Sequence, residues 1–231
     1  MQEPLLLLPG MMCDARLFLP QVSTFSCSHP ILVSPLVGEN TIAGLAQRVL
    51  KHAPARFALA GLSMGGIVAM EMVRQAPERI SRLALMDTNP LPDAPENAAV
   101  REAQVKKVLN GQLNSVMRDE MKPNYLYGGP RLTQILDLCM AMAETLGPRV
   151  FVDQSNAVQY RHDQSDVLRS VSVPSLVLCG AEDRLCPVAT HERMCELMPH
   201  AQLIVVQKAG HLPTLEQPDA TNEALRDWLN A

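Results

Sequence analysis

The segment that most constrains the chain is Phe57-Ala-Leu-Ala-Gly-Leu-Ser-Met-Gly-Gly-Ile-Val-Ala-Met-Glu-Met-Val-Arg74. An apolar run stops at Ser63 and an amphipathic run follows, which reads as a buried strand, an abrupt turn and a helix. Gly61, Ser63 and Gly65 spell G-x-S-x-G, with Gly66 directly after. A serine lifted on so sharp a turn occupies strained backbone territory. Its neighbours two residues away must lack side chains if strand and helix are to approach that closely. The turn also aims the first N–H groups of the helix at the serine oxygen, where negative charge can be held. Chance gives the pentapeptide to roughly one chain in ten of this length. The strand before it and the helix after it are the context in which it has meaning.

Around this segment the chain alternates. Leu5–Leu8 is a continuous apolar run ended by Pro9-Gly10, as expected of a strand covered on both faces. Ile31–Val33 is a second strand between prolines, and Leu83–Met86 closes a fourth in Asp87. Thr41 is placed to cap a helix from Ile42 to about His52, with Ile42, Leu45, Ala46, Val49 and Leu50 on one face. Alternation of this kind implies a parallel sheet with helices on both faces. Strands resume at Pro174–Gly180 and Gln202–Val206, with helices predicted from about Pro187 to Leu197 and from about Pro218 to Leu229. Between them, residues 88–171 change character. A proline-rich connection opens at Asn89, and segments 96–110, 112–121, 131–146 and 149–160 read as helices separated by Gly111, Pro123–Pro130 and Gly147-Pro148. The expected organisation is a core of residues 1–87 and 172–231 with a helical insertion over 88–171.

Composition removes several function classes. A net charge of -4 without a basic cluster argues against nucleic acid. The longest apolar runs have strand length, far short of a membrane span. Glu3, Pro4 and Pro9-Gly10 break up the N-terminal apolar run, so no signal peptide is read there and a cytoplasmic location is expected. The six cysteines form no C-x-x-C pair, which points to reduced packing residues rather than zinc ligands, and no metal or cofactor is expected. With 13 Met against four Phe, three Tyr and one Trp, a pocket here is expected to be lined by flexible, polarisable side chains.

Four pieces in chain order give the sequence its resemblance: Leu7-Leu-Pro-Gly-Met11, Gly61-Leu-Ser-Met-Gly65, Gly180-Ala-Glu-Asp183 and Gly210-His211. Together they resemble the α/β-hydrolase fold superfamily, and within it small carboxylesterase-like members with a helical cap, over nearly the whole chain. The resemblance implies a doubly wound, mainly parallel α/β sheet of about six strands. It also implies a triad in the order Ser63, Asp183, His211. Glu182 beside Asp183 is a rival acid, and Asp87 is another, because some family members place the acid after the fourth strand. Among the other histidines, His52, His191 and His200 lie in or beside polar stretches and read as solvated. By the same resemblance the backbone N–H groups of Met11 and Met64 form the oxyanion hole. Many relatives carry His-Gly where this chain has Pro9-Gly10, which leaves a backbone donor intact while removing a side chain that often braces it.

The chemistry explains the residue types. A serine hydroxyl needs a base to take its proton, histidine titrates near working pH, and a buried carboxylate fixes the imidazole tautomer. The insertion is expected to form a lid, with Met117, Met121, Tyr125, Tyr127, Met140, Met142 and His162 as candidate pocket walls and packing as the competing role of each methionine. No Lys or Arg cluster stands out in it, so the expected substrate is a small, fairly apolar carboxylic ester, cleaved by a monomer or homodimer through an acyl-enzyme. Lactone, thioester or C–C bond hydrolysis and acyl transfer or perhydrolysis use the same triad and stay open. A ring-forming lyase and a small-molecule receptor that retains the fold also stay open.

Overall fold

The computed structural model describes residues 3–231. Strands β1 (Leu5–Leu8), β2 (Ile31–Val33), β3 (Phe57–Leu62), β4 (Ile80–Met86), β5 (Ser175–Gly180) and β6 (Gln202–Val206) form one sheet in the order β2-β1-β3-β4-β5-β6. Every neighbouring pair is parallel. The central strands β1, β3 and β5 are buried along their whole length, whereas edge strands β2 and β6 are half-covered. That difference is why the central segments read as unbroken apolar runs.

Side-chain alternation along the strands divides the core into two layers. Leu6, Leu8, Phe57 and Leu59 point to one face, while Leu5, Leu7, Ala58, Ala60 and Leu62 point to the other. The first face is covered by α2 (Ile42–His52), α3 (Met64–Gln75) and α8 (Val188–Leu197), through residues such as Leu45, Val68 and Met194. Thr41 caps α2, its hydroxyl accepting the Gly44 N–H at 3.0 Å. The second face is covered by α1 (Leu19–Phe25), which the periodicity did not reveal, and by α9 (Pro218–Asn230), through Phe25, Leu225 and Trp228.

Between β4 and β5 the chain is helical: α4 (Pro95–Leu109), the single turn α5 (Leu113–Ser115), a π-helical turn over Val116–Met121, α6 (Leu132–Gln159) and α7 (Ser165–Ser170). Within α6 the helix is broken at Gly147, which has φ 78° and ψ 176° and precedes Pro148. Only glycine reaches that conformation without strain, and the proline ring prevents the preceding residue from being helical. Among the described residues no helix is long and apolar enough to cross a membrane.

One topological fact positions everything that follows. From β1 the chain steps out to β2, returns to β3 beside β1, and then moves steadily the other way through β6. The switch point lies between β1 and β3, and the crevice at their carboxyl ends is where open α/β sheets gather ligands.

Candidate active site

At the end of β3 the chain turns straight into α3, and Ser63 at the corner has φ 56° and ψ -118°. A positive φ is costly for a residue with a Cβ, so the corner must be held from outside. It is held on both sides: the Ser63 N–H donates to Met86 O at 2.8 Å, and Thr88 Oγ1 donates to Ser63 O at 2.8 Å. The flanking glycines are obligatory on steric grounds. A Cβ on Gly61 would lie 2.3 Å from Gly65 O, and one on Gly65 would lie 2.0 Å from Leu8 O.

The loops after β5 and β6 bring the other two groups to this corner. His211 Nε2 lies 2.8 Å from Ser63 Oγ, and His211 Nδ1 lies 2.8 Å from Asp183 Oδ2. His211 and Asp183 are 2% and 5% exposed, so the contact is shielded from water. Asp183 Oδ1 accepts the N–H groups of Leu185 at 2.8 Å and Cys186 at 3.1 Å. Burial pushes the Asp183 carboxyl up, but the hydrogen bond and charge of His211, with those two N–H groups, outweigh it and hold Asp183 below its usual range. With Asp183 ionised, Nδ1 of His211 carries the proton and Nε2 is left to accept from the Ser63 hydroxyl. Asp183, Cys186 and His211 also place ligand-type atoms within 4.8 Å of one another. However, two of the three are already engaged with each other, and burial raises the Cys186 thiol well above its ordinary range, away from the thiolate that a metal needs.

The rival acids have other partners. Glu182 Oε2 accepts the Ala209 N–H at 3.2 Å. Asp87 is fully buried at the end of β4, and its Oδ1 accepts the Gly180 N–H at 2.9 Å. Burial and the charge of Asp183 push its carboxyl well above the usual range, which favours the neutral acid beside the ionised Asp183.

Several residues act here that no motif announced. Glu216 accepts three backbone N–H groups: Tyr127 at 2.6 Å, Gly210 at 3.0 Å and Leu212 at 3.1 Å. It thereby ties the His211 loop to the inserted helical segment. The His211 N–H donates to Tyr125 O at 2.6 Å, and the Tyr125 ring meets the imidazole edge-on at 5.2 Å. Gln154, on α6, spans two loops: its Oε1 accepts the Met12 N–H at 2.8 Å and its Nε2 donates to Leu36 O at 2.9 Å. His191, read as solvated from its polar neighbours, is fully buried. Its Nε2 accepts the Thr88 N–H at 3.1 Å, and burial lowers it to about 4, so it is a neutral acceptor. Only the signal of a helix face could have shown this, since one face of α8 points at the sheet.

A cavity of about 550 Å³ opens onto this corner. Ser63, His211, Met11 and Met64 line it, as do Met121 and Tyr125 from the insertion. Met117, Met140 and Met142 are instead packed into the buried clusters between insertion and core, while Tyr127 is 36% exposed and His162 faces solvent. No Lys or Arg cluster stands out in the sequence of the insertion, yet the folded chain sets polar and charged groups on the cavity wall. Asp93, Asn97, Arg101, Gln104 and Arg161 all line the cavity. Their positions in sequence are scattered, and only the folded insertion brings Arg101 of α4 and Arg161 beyond α6 to the same aspartate.

The sequence model of the Alpha/beta hydrolase family matches residues 8–224. The chain belongs to that family. Its six parallel strands with helices on both faces are the alpha/beta hydrolase fold. Among curated relatives, a 2-hydroxy-6-oxononadienedioate/2-hydroxy-6-oxononatrienedioate hydrolase from Pseudomonas sp is 26% identical over 223 residues, covering 93% of this chain and 77% of the relative. A pimeloyl-(acyl-carrier protein) methyl ester esterase from Aliivibrio fischeri (strain MJ11) is 25% identical over 194 residues, covering 80% and 74%. A thermophilic esterase from Thermogutta terrifontis, solved with malate bound, superposes with a TM-score of 0.89 at 27% identity, over 99% of this chain and 89% of that one. The relatives thus include esterases and a hydrolase of 2-hydroxy-6-oxononadienedioate, and hydrolysis is the activity that the family supports for this chain.

Proposed function

We propose that this alpha/beta hydrolase cleaves a carboxylic ester through an acyl-enzyme on Ser63. The observation that carries the reading is the unbroken contact from Ser63 Oγ through His211 to Asp183, with two spacings of 2.8 Å, at the mouth of a cavity. Ser63 Oγ attacks the carbonyl carbon while His211 Nε2 takes its proton. Asp183 holds the imidazole in the required tautomer and balances the imidazolium that forms. The N–H groups of Met64, at the start of α3, and of Met11 receive the oxyanion, each worth about 10²–10³ in rate. His211 returns its proton to the leaving alkoxide, and the same base then activates the water that releases the acid. Residues 88–171 act as a cap, with Met121 and Tyr125 closing the cavity above the nucleophile. The esterases among the relatives support the reaction class.

The test uses p-nitrophenyl esters of graded acyl length together with a fluorophosphonate probe. Wild-type protein is expected to turn over at least one ester and to be labelled at Ser63, and Ser63→Ala to do neither. Full esterase activity in Ser63→Ala, with no labelling of the wild type, would refute the mechanism.

A further inference from the structure

Within the cavity one group of residues is left unexplained by ester cleavage. Asp93, in the proline-rich connection after β4, is gripped by two arginines. Arg101 donates to it through Nε, and through Nη2 at 3.3 Å. Arg161 Nη1 lies 3.4 Å from Asp93 Oδ1 and donates to Val158 O at 2.9 Å, while Arg161 Nε donates to Leu91 O at 2.8 Å. The Arg161 side chain is only 7% exposed and that of Asp93 6%. Arg161 Nη2 and Arg101 Nη1 have no hydrogen-bond partner among the described residues, although both residues line the cavity.

Charge matching separates a structural from a binding role. Two guanidiniums share one carboxylate, which leaves one positive charge unmatched. The other acid on the cavity wall, Glu120, does not supply the balance, because it is paired with Lys107 at 2.7 Å. The free nitrogens Arg161 Nη2 and Arg101 Nη1 open onto the cavity, where an anionic group on a bound molecule would form charge-assisted hydrogen bonds with them. Arg161 is also preorganised for that anion: two backbone carbonyls hold Nε and Nη1, which fixes the plane of the guanidinium and leaves Nη2 free to donate. The unmatched charge is single, which suits a carboxylate better than a phosphate dianion.

We infer that the substrate carries a carboxylate remote from its scissile ester, and that this group docks on Arg161 and Arg101. The inference deepens the ester-hydrolase reading and rests on it for the identity of the reacting bond. It makes Arg161 a specificity-determining residue, and it explains why a cavity with a serine nucleophile has a cationic wall.

The experiment compares mono-p-nitrophenyl adipate with p-nitrophenyl hexanoate, esters of equal acyl length that differ in the terminal charge. Wild type is expected to show kcat/KM higher for the adipate by about 10-fold to 100-fold, the worth of one charge-assisted pair. In Arg161→Gln that ratio should collapse toward one. A purely structural role for the arginine would lower both esters together and preserve the ratio, and that result overturns the inference. Equal rates for the two esters in wild type, which need no variant to fold, overturn it as well while leaving the ester-hydrolase reading intact. If neither ester is cleaved, the ester-hydrolase reading loses support at this acyl length, and the docking site is read from binding alone. Calorimetry on Ser63→Ala with monomethyl adipate against dimethyl adipate then decides the docking site: tighter binding of the anion supports it, and equal binding overturns it. Tighter binding of the matching phosphonate than of the carboxylate would overturn the assignment to a carboxylate.

Discussion

Gln154 offers the sharpest test of how the insertion supports the surroundings of Ser63. It is 1% exposed and joins two loops at the carboxyl ends of β1 and β2, accepting from Met12 and donating to Leu36. Met12 is fully buried with φ 55°, a conformation that costs about 1–3 kcal/mol and persists only while its surroundings hold it. Gln154→Leu nearly conserves volume, so no large cavity enters the reckoning. What it removes is the partner of one buried N–H and one buried C=O. Leaving each unsatisfied costs about 1–3 kcal/mol, so the ceiling is about 6 and a figure near 3 is expected if one group finds another partner. Against a total stability of about 5–15 kcal/mol, urea unfolding resolves a loss of that size easily.

The kinetic consequence is separate. Met11 precedes Met12, and its N–H is the oxyanion donor of the proposed mechanism. A relaxed Met12 re-aims that N–H, at a cost of about 10² in kcat with little change in KM, because the oxyanion exists only in the transition state. Gln154→Glu is the control. It keeps an acceptor for the Met12 N–H, so it should retain most of kcat while losing stability through Leu36. If Gln154→Leu loses stability yet turns over at the wild-type kcat, the loop does not depend on the amide and the reasoning fails.

Two further substitutions probe the acids. Asp183→Asn should lower kcat by about 10⁴, as in serine hydrolases whose orienting acid is neutralised. Because the Asp183 carboxyl is held below its ordinary range, its contribution to stability is present above about pH 4 and is lost as pH falls through the lower folded value. Thermal melts between pH 2 and pH 6 should show that acid limb in wild type and its loss in the variant. Asp87 has the opposite sign. Its carboxyl is raised in the folded state, so keeping it neutral costs about 1.4 kcal/mol for each pH unit above about 3.9, until the folded value is reached. Asp87→Asn keeps an acceptor for the Gly180 N–H and tolerates the positive φ of 45° at that position. The variant should therefore gain stability over wild type as pH rises from 4 to 8. A gap that stays constant across that range would show that Asp87 is ionised.

Much of this protein was readable in the order of its residues. The central strands show as apolar runs because both faces of a parallel strand are covered. The corner at Ser63 shows because the steric demand on Gly61 and Gly65 is local, set by atoms a few residues away in sequence. Thr41 and the stripe from Ile42 to Leu50 show for the same reason, since a cap and a helix face are short-range patterns. Helix α1 escaped because it is only seven residues long and one of its buried positions is the polar Gln21, and His191 because a buried helix face can carry a polar side chain once a backbone N–H satisfies it. The sequence by itself determined the fold and the chemistry available at one corner. The tertiary structure decided what surrounds that corner: Gln154 reaching from α6 to Met12 across 142 residues, Glu216 binding the His211 loop to the insertion, and Arg101 and Arg161 meeting on Asp93. Those contacts join residues far apart in the chain, through charge and buried hydrogen bonds that leave no periodic trace. They exist only once the hydrophobic layers have folded the insertion against the sheet.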